Sequence, residues 1–418
     1  MRVTRLFRKL AGLTRCVVEK VELIEASEDQ PMHLVLEVQT RSGRDRCGRC
    51  GRKARGRHGR GKMRTWRDLS PWGIPIELRG EVRRVVCRSC GVRTMQVPWA
   101  RTGSRFTRRF EDEVAWFLQR ADQTATAQYF GIAWESAGRI ARRVVEEKLA
   151  GRGHAARFMG VDEISYGRPR KFLTVVVDHE TGQVVWAAEG KNAETLGKYF
   201  NSLTAAEREA IEVVTMDMSA AFKKAVEESV PTAVIVYDRF HVMQLLSRAV
   251  DEVRRAEMRA CLDPAVKAML KGTRWALLKN EWNLTLSEQQ KLAALPKVNG
   301  RLYRARLLRD AFQIIFQCET VQEADARWNE WKGWALRSRL KPFLTLARTI
   351  ADHWEGIRRF IELRITNAPV EGYNSKIRMI SHRAFGFHHP SSLIAMIKLN
   401  CAGITLTPVG HGRLARAA

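Results

Sequence analysis

No stretch of the chain approaches the roughly eighteen uninterrupted apolar residues of a membrane-spanning helix, so none is expected. An apolar leader is missing as well. Met1 to Cys16 carries Arg2, Arg5, Arg8 and Lys9 without the hydrophobic run of a secretion signal, and the protein is expected to stay inside the cell. Acidic residues are scarce beside basic ones: 45 Asp+Glu face 72 Lys+Arg in 418 residues, a formal charge of +27. Disorder is nonetheless excluded for the whole, because 45% apolar residues over this length can build the cores of several domains.

The shortage of acid is local. Residues 1–110 hold 27 Lys+Arg against 10 Asp+Glu, a net of +17, and the other 308 residues carry +10. An excess of this size points to a polyanion, most simply nucleic acid, with a solvated basic surface as the plain alternative. Charge alone does not separate DNA from RNA or from an anionic membrane.

Cysteine is sparse too. Of eight, four fall into two pairs, Cys47-Gly-Arg-Cys50 and Cys87-Arg-Ser-Cys90, each followed at once by glycine, Gly51 and Gly91. Two thiolates two residues apart can converge on one tetrahedral Zn²⁺, and glycine lets the backbone turn tightly beside sulfur. Two such knuckles make a four-sulfur zinc ribbon with one structural ion; redox pairing is the alternative, disfavoured in a reducing compartment. Between them, Trp66 to Val86 alternates apolar and polar residues as strands do. Around the first knuckle crowd Arg44, Arg46, Arg49, Arg52, Lys53, Arg55, Arg57, Arg60, Lys62 and Arg64. Arg49, Arg52, Lys53, Arg55 and Arg57 are the foremost candidates for neutralising DNA phosphates, against a ribbon that only staples a small domain.

Residues 123–140 have the spacing of a helix-turn-helix. Ala127 allows close helix approach, Gly131 suits the left-handed turn, and Phe130, Ile132, Ala137 and Ile140 would face the shared core. A helix over about Thr107 to Arg120 precedes it. The second helix, Trp134 to Leu149, would offer Ser136 and Arg139 to a groove and Arg142 and Arg143 to phosphates. A generic helical hairpin has the same pattern.

From Ala155 the composition changes. Strands are expected at Phe158–Ser165, Lys171–Asp178, Gln183–Glu189, Ile211–Asp217 and Ala233–Asp238, with helices near Ala193–Leu203 and Ser219–Ser229. Three strands on short turns, then alternating helix and strand, describe a mixed sheet of the ribonuclease-H type. Asp162 lies within the first strand, where a charge is costly without a partner, and Asp217 ends the fourth. Two carboxylates on neighbouring strands repel, and a divalent cation such as Mg²⁺ relieves that repulsion and suits phosphoryl transfer. A strand-end turn or helix cap is the ordinary alternative. A third carboxylate is expected from a later helix. In Thr366-Asn-Ala-Pro-Val-Glu-Gly-Tyr-Asn374, Pro369 suits a first turn, Asn367 can cap it, and Glu371, Asn374 and Arg378 share one face.

In this order and context Asp162, Asp217 and Glu371 resemble the DDE triad of insertion-sequence transposases. More narrowly the chain resembles the ISL-three family, on its two CxxC knuckles, Gly160-Val-Asp-Glu163, Met216-Asp-Met-Ser219, Tyr237-Asp-Arg-Phe-His241, Asn367-Ala-Pro-Val-Glu-Gly-Tyr-Asn374 and Arg383-Ala-Phe-Gly-Phe387. The resemblance implies a multidomain α+β chain: zinc ribbon 1–100, helix-turn-helix 101–153, a ribonuclease-H-like mixed α/β catalytic domain begun in 154–241, an all-helical insertion 242–364, and 365–418 as the last part of the catalytic domain with a C-terminal tail. It implies that Asp162, Asp217 and Glu371 hold two Mg²⁺ ions, with Mn²⁺ as a substitute. Asp238, His241, Asn374 and Arg378 would support the site and position DNA, although Asp238 and His241 also read as a strand-end turn. The six tryptophans of the insertion read as packing residues. The implied partners are double-stranded DNA (terminal inverted repeats and target) and further copies in a homodimer or larger synaptic assembly, with no membrane, in a bacterial cytoplasm near the nucleoid. Two rivals remain: a catalytically silent zinc-ribbon regulator derived from a transposase, and a ribonuclease-H-like nuclease that cuts without joining.

Overall fold

A computed structural model describes residues 2–28, 31–41, 45–70, 73–167, 171–384, 386–387 and 389–408; Arg44 and Phe385 of the motifs above lie outside them. The chain divides into two compact units, residues 1–152 with 382–418, and residues 153–381.

The first unit begins with helix α1 (Val3–Leu10) and strands β1 (Cys16–Ile24), β2 (His33–Thr40), β3 (Gly56–Arg67), β4 (Ile76–Cys87) and β5 (Gly91–Thr94). They form one sheet in the order β1-β2-β4-β3, with β5 paired to β4. The alternation in β4 sends Ile76, Leu78, Val82 and Val85 into a core with Leu36, Val38, Trp66 and Trp99. Gly80 is required where β2 and β4 close up, since a Cβ there would meet the Val38 carbonyl oxygen at 2.7 Å. The expected strands after Trp66 are therefore joined by an N-terminal helix and hairpin. Next come α2 (Arg108–Leu118), α3 (Gln123–Phe130) and α4 (Trp134–Leu149), with Thr107 and Asp122 capping α2 and α3. Gly131 ends α3 at φ 55°, the left-handed turn that the spacing demands. Phe110, Val114, Leu118, Ala127, Phe130, Ala137 and Ile140 fill the three-helix core.

The second unit holds β6 (Phe158–Gly167), β7 (Lys171–Asp178), β8 (Gln183–Glu189), β9 (Val213–Met216) and β10 (Val234–Tyr237) in the order β10-β9-β6-β7-β8. Strands β6 to β8 run antiparallel, whereas β9 and β10 join β6 in parallel. Helices α5 (Ala193–Asn201), α6 (Ala205–Glu209) and α7 (Ala220–Ser229) make the crossovers. The β-branched runs in β7 and β9 are buried, as parallel or central strands require. Between β10 and residue 363 the chain is helical: α8 (Arg239–Ala260), α9 (Pro264–Lys271), α10 (Arg274–Leu278), α11 (Leu286–Val298), α12 (Gly300–Ile315), α13 (Val321–Arg337) and α14 (Lys341–Leu363). Trp328 stacks on Trp331 and Trp354 within this packing, and the Trp331 indole donates to the Leu308 carbonyl at 2.7 Å. Helix α15 (Ala368–Arg383) follows.

The last helix, α16 (Pro390–Cys401), packs on α4. The Gln119 amide donates to the carbonyls of Leu399 and Ile404, and Arg152 donates to that of Ala402. Within 365–418, expected to hold the last part of the catalytic domain and a C-terminal tail, the chain groups with the second unit up to Ser381 and with the first from His382. The cause is the apolar face of α16, with Leu393, Ile397 and Leu399 buried.

Candidate active site and nucleic-acid interface

Asp162 sits in mid-β6, 6% exposed, between strands β7 and β9. Its carboxylate is held twice: the Glu163 backbone N–H donates to Oδ1 at 2.7 Å and the Asn374 amide to Oδ2 at 2.5 Å. Asp217 follows β9 directly, its Oδ1 accepting from the Ser219 N–H at 3.1 Å. Glu371 lies in the first turn of α15. Burial raises all three carboxyls above their ordinary range. The Asp162 charge pushes Asp217 up further, and Asp238 and Asp162 do the same to Glu371. The five acidic and imidazole groups at 162, 217, 238, 241 and 371 thus feel one another.

His241, in the first turn of α8, brings Nδ1 within 3.3 Å of Asp238 Oδ2, too poorly aligned for a hydrogen bond. Contact with the Asp238 carboxylate raises the imidazole pKa, with Asp162 and Asp217 adding to it against the effect of burial. Asp238 Oδ2 and His241 Nδ1 have only each other, and Glu371 Oε1 and Asn374 Oδ1 are buried without a hydrogen-bond partner. Buried polar atoms are rarely left so, and their grouping marks a site built for something else to bind. The fourth supporting residue, Arg378, is exposed further along α15.

Helix α15 is seated on the sheet through Asn367 and Gly160 by Thr215 and His179, two residues that the sequence reading passed over. The Thr215 hydroxyl on β9 donates to Asn367 Oδ1 at 2.7 Å, and His179 Nε2 lies 2.7 Å from the same hydroxyl. Thr215 has one proton to give, so His179 must donate, which fixes the Nε2–H tautomer. The Asn367 side chain is therefore occupied by Thr215 instead of capping α15, and its backbone carbonyl takes the N–H groups of Val370 and Glu371. Gly160 in β6 permits the close seating, because a Cβ there would lie 2.4 Å from Val370 and 2.7 Å from Asn367 Oδ1. One signal was legible: a polar Thr215 inside the apolar run Val213-Val-Thr-Met216 needs a partner.

In the first unit the sulfurs of Cys47, Cys50, Cys87 and Cys90 all lie within 4.8 Å of one another. Gly51 and Gly91 take φ 68° and 69°, the tight turns beside sulfur. Backbone N–H groups of Ser89 and Cys90 draw the Cys87 thiol down to about 7, and those of Cys50 and Arg49 lower Cys47. Cys90 is pushed up to about 12, chiefly by contact with Cys50. Four thiols this close cannot all ionise without a cation among them, and the set suits zinc. Among the described residues no other trio of His, Cys, Asp or Glu has its ligand atoms so close together.

Arg49, Arg52, Lys53, Arg55 and Arg57 are exposed around this cluster, with Arg52 on Ser89 Oγ and Arg57 on Asp45. On α4, Arg139 and Arg142 are exposed, and Arg139 donates to the half-buried Ser136 at 3.2 Å. Arg143 does not join them. It turns inward to Glu111, a fully buried acid that Arg101 and Ser104 also hold. Arg67 donates to the carbonyls of Phe130 and Gly131, tying the ribbon sheet to the end of α3. No helix among the described residues is long and apolar enough to cross a membrane.

Comparison with known proteins matches the chain part by part. Residues 159–397, more than half of it, match a family model described as a transposase. Residues 95–145 match the helix-turn-helix domain of transposase family ISL3, and residues 43–90 the zinc-finger of the IS204, IS1001, IS1096 and IS1165 transposases. The chain is 36% identical to the transposase for insertion sequence element IS1557 of Mycobacterium tuberculosis, with 96% of each chain covered. It is 27% identical to the transposase for insertion sequence element IS1001 of Bordetella parapertussis, over 78% of this chain and 81% of that one. These matches define a DNA transposase, an enzyme that cuts and joins DNA, with a zinc ribbon, a helix-turn-helix and a transposase domain in that order. The chain belongs to the ISL3 family, and its zinc-finger match together with the four-cysteine cluster supports a structural zinc.

Proposed function

We propose that Asp162, Asp217 and Glu371 are the catalytic carboxylates of a DDE reaction on the ends of this protein's own insertion sequence. The observation that carries the reading is the pair of buried, unpartnered oxygens on Glu371 and Asn374 beside carboxylates that burial and mutual repulsion keep above their ordinary pKa. Hard oxygen donors that repel one another fit Mg²⁺. Their oxygens are more widely spread than the four sulfurs, which suits carboxylates that share two ions with DNA phosphate better than a closed protein cage. Mg²⁺ held by Asp162, Asp217 and Glu371, with Mn²⁺ able to replace it, would supply positive charge at the reacting phosphate and acidify the attacking hydroxyl.

The chain's own groups do the rest. Asn374 and the Glu163 N–H fix the Asp162 carboxylate in one rotamer, so that it pays no reorganisation when DNA arrives. Asp238 raises the His241 pKa and holds the ring near the acidic trio, where its protonated form can face a DNA phosphate. Arg378 extends the same helix face toward the DNA backbone. The strand order and crossovers support a ribonuclease-H-like domain in 154–241, closed by α15 and interrupted by a helical insertion over 242–364. Residues 1–100 and 101–153 would recognise the terminal inverted repeats, through Arg49, Arg52, Lys53, Arg55 and Arg57 on phosphates and Ser136, Arg139 and Arg142 in a groove. Arg143 is assigned instead to holding α4 on α2. Pairing of two ends calls for a homodimer or larger assembly acting at the nucleoid, with target DNA as the second substrate.

The test uses labelled end DNA with Mg²⁺ and compares the wild type with Asp162→Asn, Asp217→Asn and Glu371→Gln. Metal-dependent cleavage and joining should be lost in each variant while gel-shift affinity persists. Cleavage that survives any of the three changes removes that residue from the triad.

A further inference from the structure

Strand β3 lies at one edge of the first unit's sheet and pairs with β4 alone among the strands. It carries Arg57, Arg60, Lys62, Arg64 and Arg67, and all residues from Gly56 to Thr65 are exposed except the half-buried Gly61. Its ladder breaks in the middle. His58 faces Arg84 and Lys62 faces Val82, so Gly59, Arg60 and Gly61 stand against Arg83 by itself. The ladder partners of His58 and Lys62 are two residues apart on β4, about 7 Å at a strand's rise, and three residues must loop out over that interval. Gly59 takes φ 71°, the left-handed region that favours glycine. The Glu81 side chain lies across Gly61, where a Cβ would overlap its carboxyl group. The tip of the bulge therefore carries one side chain, Arg60. The acids nearby are engaged elsewhere: Glu81 pairs with Arg83, and Asp45 with Arg57 at 2.8 Å. The charged ends of Arg60, Lys62 and Arg64 have no hydrogen-bond or ion-pair partner among the described residues.

We propose that this bulge inserts Arg60 into the minor groove of an A·T-rich step of the end DNA, with His58 and Lys62 at its base against the sugar-phosphate walls. The proposal rests on the reading that residues 1–100 recognise the terminal repeats, and it adds base readout to the phosphate contacts assigned there. A minor groove about 6 Å wide admits neither a helix nor a paired ribbon, but it does admit a single side chain offered between two glycines. The major groove, about twice as wide, would leave so slim a projection loose. Narrow A·T stretches concentrate negative potential in that groove, which draws a cation inward. A guanidinium sheds water more readily than an ammonium and brings several donors. An A·T pair shows it only acceptors, adenine N3 and thymine O2, whereas a G·C pair sets the guanine amino group in its way. The ribbon would thus discriminate A·T from G·C at the ends, independently of the bases read by α4.

The experiment uses the full chain with zinc and duplexes of the terminal repeat. Hydroxyl-radical footprints of wild type and Arg60→Ala locate the stretch whose protection depends on Arg60. A·T pairs in that stretch are then replaced by G·C or by inosine·C, which keeps the minor groove of A·T but shows the major-groove edge of G·C. Wild type should bind the A·T and inosine·C duplexes alike and the G·C duplex about tenfold more weakly. Arg60→Ala should lose about tenfold on the first two and little more on the third, so that the preference disappears. Arg60→Lys should recover part of the affinity. Melting temperature and zinc content should match wild type in both variants, because Arg60 is exposed. A footprint unchanged in Arg60→Ala, a defect equal on all three duplexes, or wild-type binding in which inosine·C behaves as G·C overturns the bulge proposal. Loss of end binding in Arg52→Ala with Arg55→Ala beside an undiminished Arg60→Ala strikes the bulge alone. Full binding by both, or no protection of the repeat by wild type, overturns the reading on which the proposal rests.

Discussion

Replacing Thr215 by valine keeps the shape of a fully buried side chain and removes one hydroxyl. That hydroxyl is the acceptor for His179 Nε2–H and the donor to Asn367 Oδ1, so the buried Asn367 oxygen and the half-buried His179 ring lose their partner. A buried polar group left unsatisfied costs about 1–3 kcal/mol, and the half-buried imidazole adds less, which brings the cost to about 2–4 kcal/mol. For a unit of this size the melting transition should fall by roughly 5–12 °C. The functional loss should exceed the loss of stability. Asn367 precedes α15, whose Glu371 and Asn374 must face Asp162, and a drift of about 1 Å in such groups can cost on the order of 100-fold in rate. Calorimetry and cleavage of end DNA below the transition would be measured on Thr215→Val and Thr215→Ser. The serine variant keeps the hydroxyl and should restore most of both properties, with DNA affinity unchanged throughout. A valine variant that melts and cleaves like wild type would refute the role assigned to these three residues.

Removing Arg52 and Arg55 together should weaken end binding and lower the slope of log K against log salt by about 1.8, the release of two phosphates' counterions; an unchanged slope in a salt titration would contradict phosphate contact there. Chelation, or Cys50→Ala, should release close to one zinc per chain by elemental analysis and melt the ribbon while the second unit keeps its transition. Burial works against ionisation of Glu147, but the Arg101 and Arg108 guanidiniums outweigh it and hold the carboxyl below its unfolded value. A depressed acid stabilises the fold above its unfolded pKa, about 4.3, and loses that effect as pH falls through its folded value. The melting difference between wild type and Glu147→Gln should therefore shrink below about pH 4, and a gap constant from pH 6 to pH 3 would exclude the coupling.

Much of this was legible because it is local. The CxxC-Gly knuckles fix their own turns, and Gly131 with Ala127 and Phe130 encodes the helical turn. The continuous β-branched runs Val175-Val-Val177 and Val234-Ile-Val236 mark strands; the first is central and buried, while the second, expected to be central too, lies at the sheet edge with Val234 and Ile235 half-buried. What stayed hidden depends on pairs far apart in the chain. Thr215 and Asn367 are 152 residues apart, and neither looks unusual until the other is beside it. Arg143 reads as one more cation in a basic helix, but Glu111, 32 residues earlier, turns it inward. The return of α16 to α4 is equally silent in sequence, since an apolar helix face does not name its partner.

The most direct measurement exchanges the ligand atom itself. Asp217→Cys replaces a hard oxygen with a softer sulfur that Mn²⁺ tolerates better than Mg²⁺. Cleavage and joining of end DNA would be measured in each ion, for the variant and the wild type. Wild type should work in both, and the cysteine variant should fail in Mg²⁺ and recover in part in Mn²⁺. Equal activity of the variant in the two ions, or cleavage by the wild type without a divalent cation, would contradict a metal-holding Asp217 and with it the site built around it.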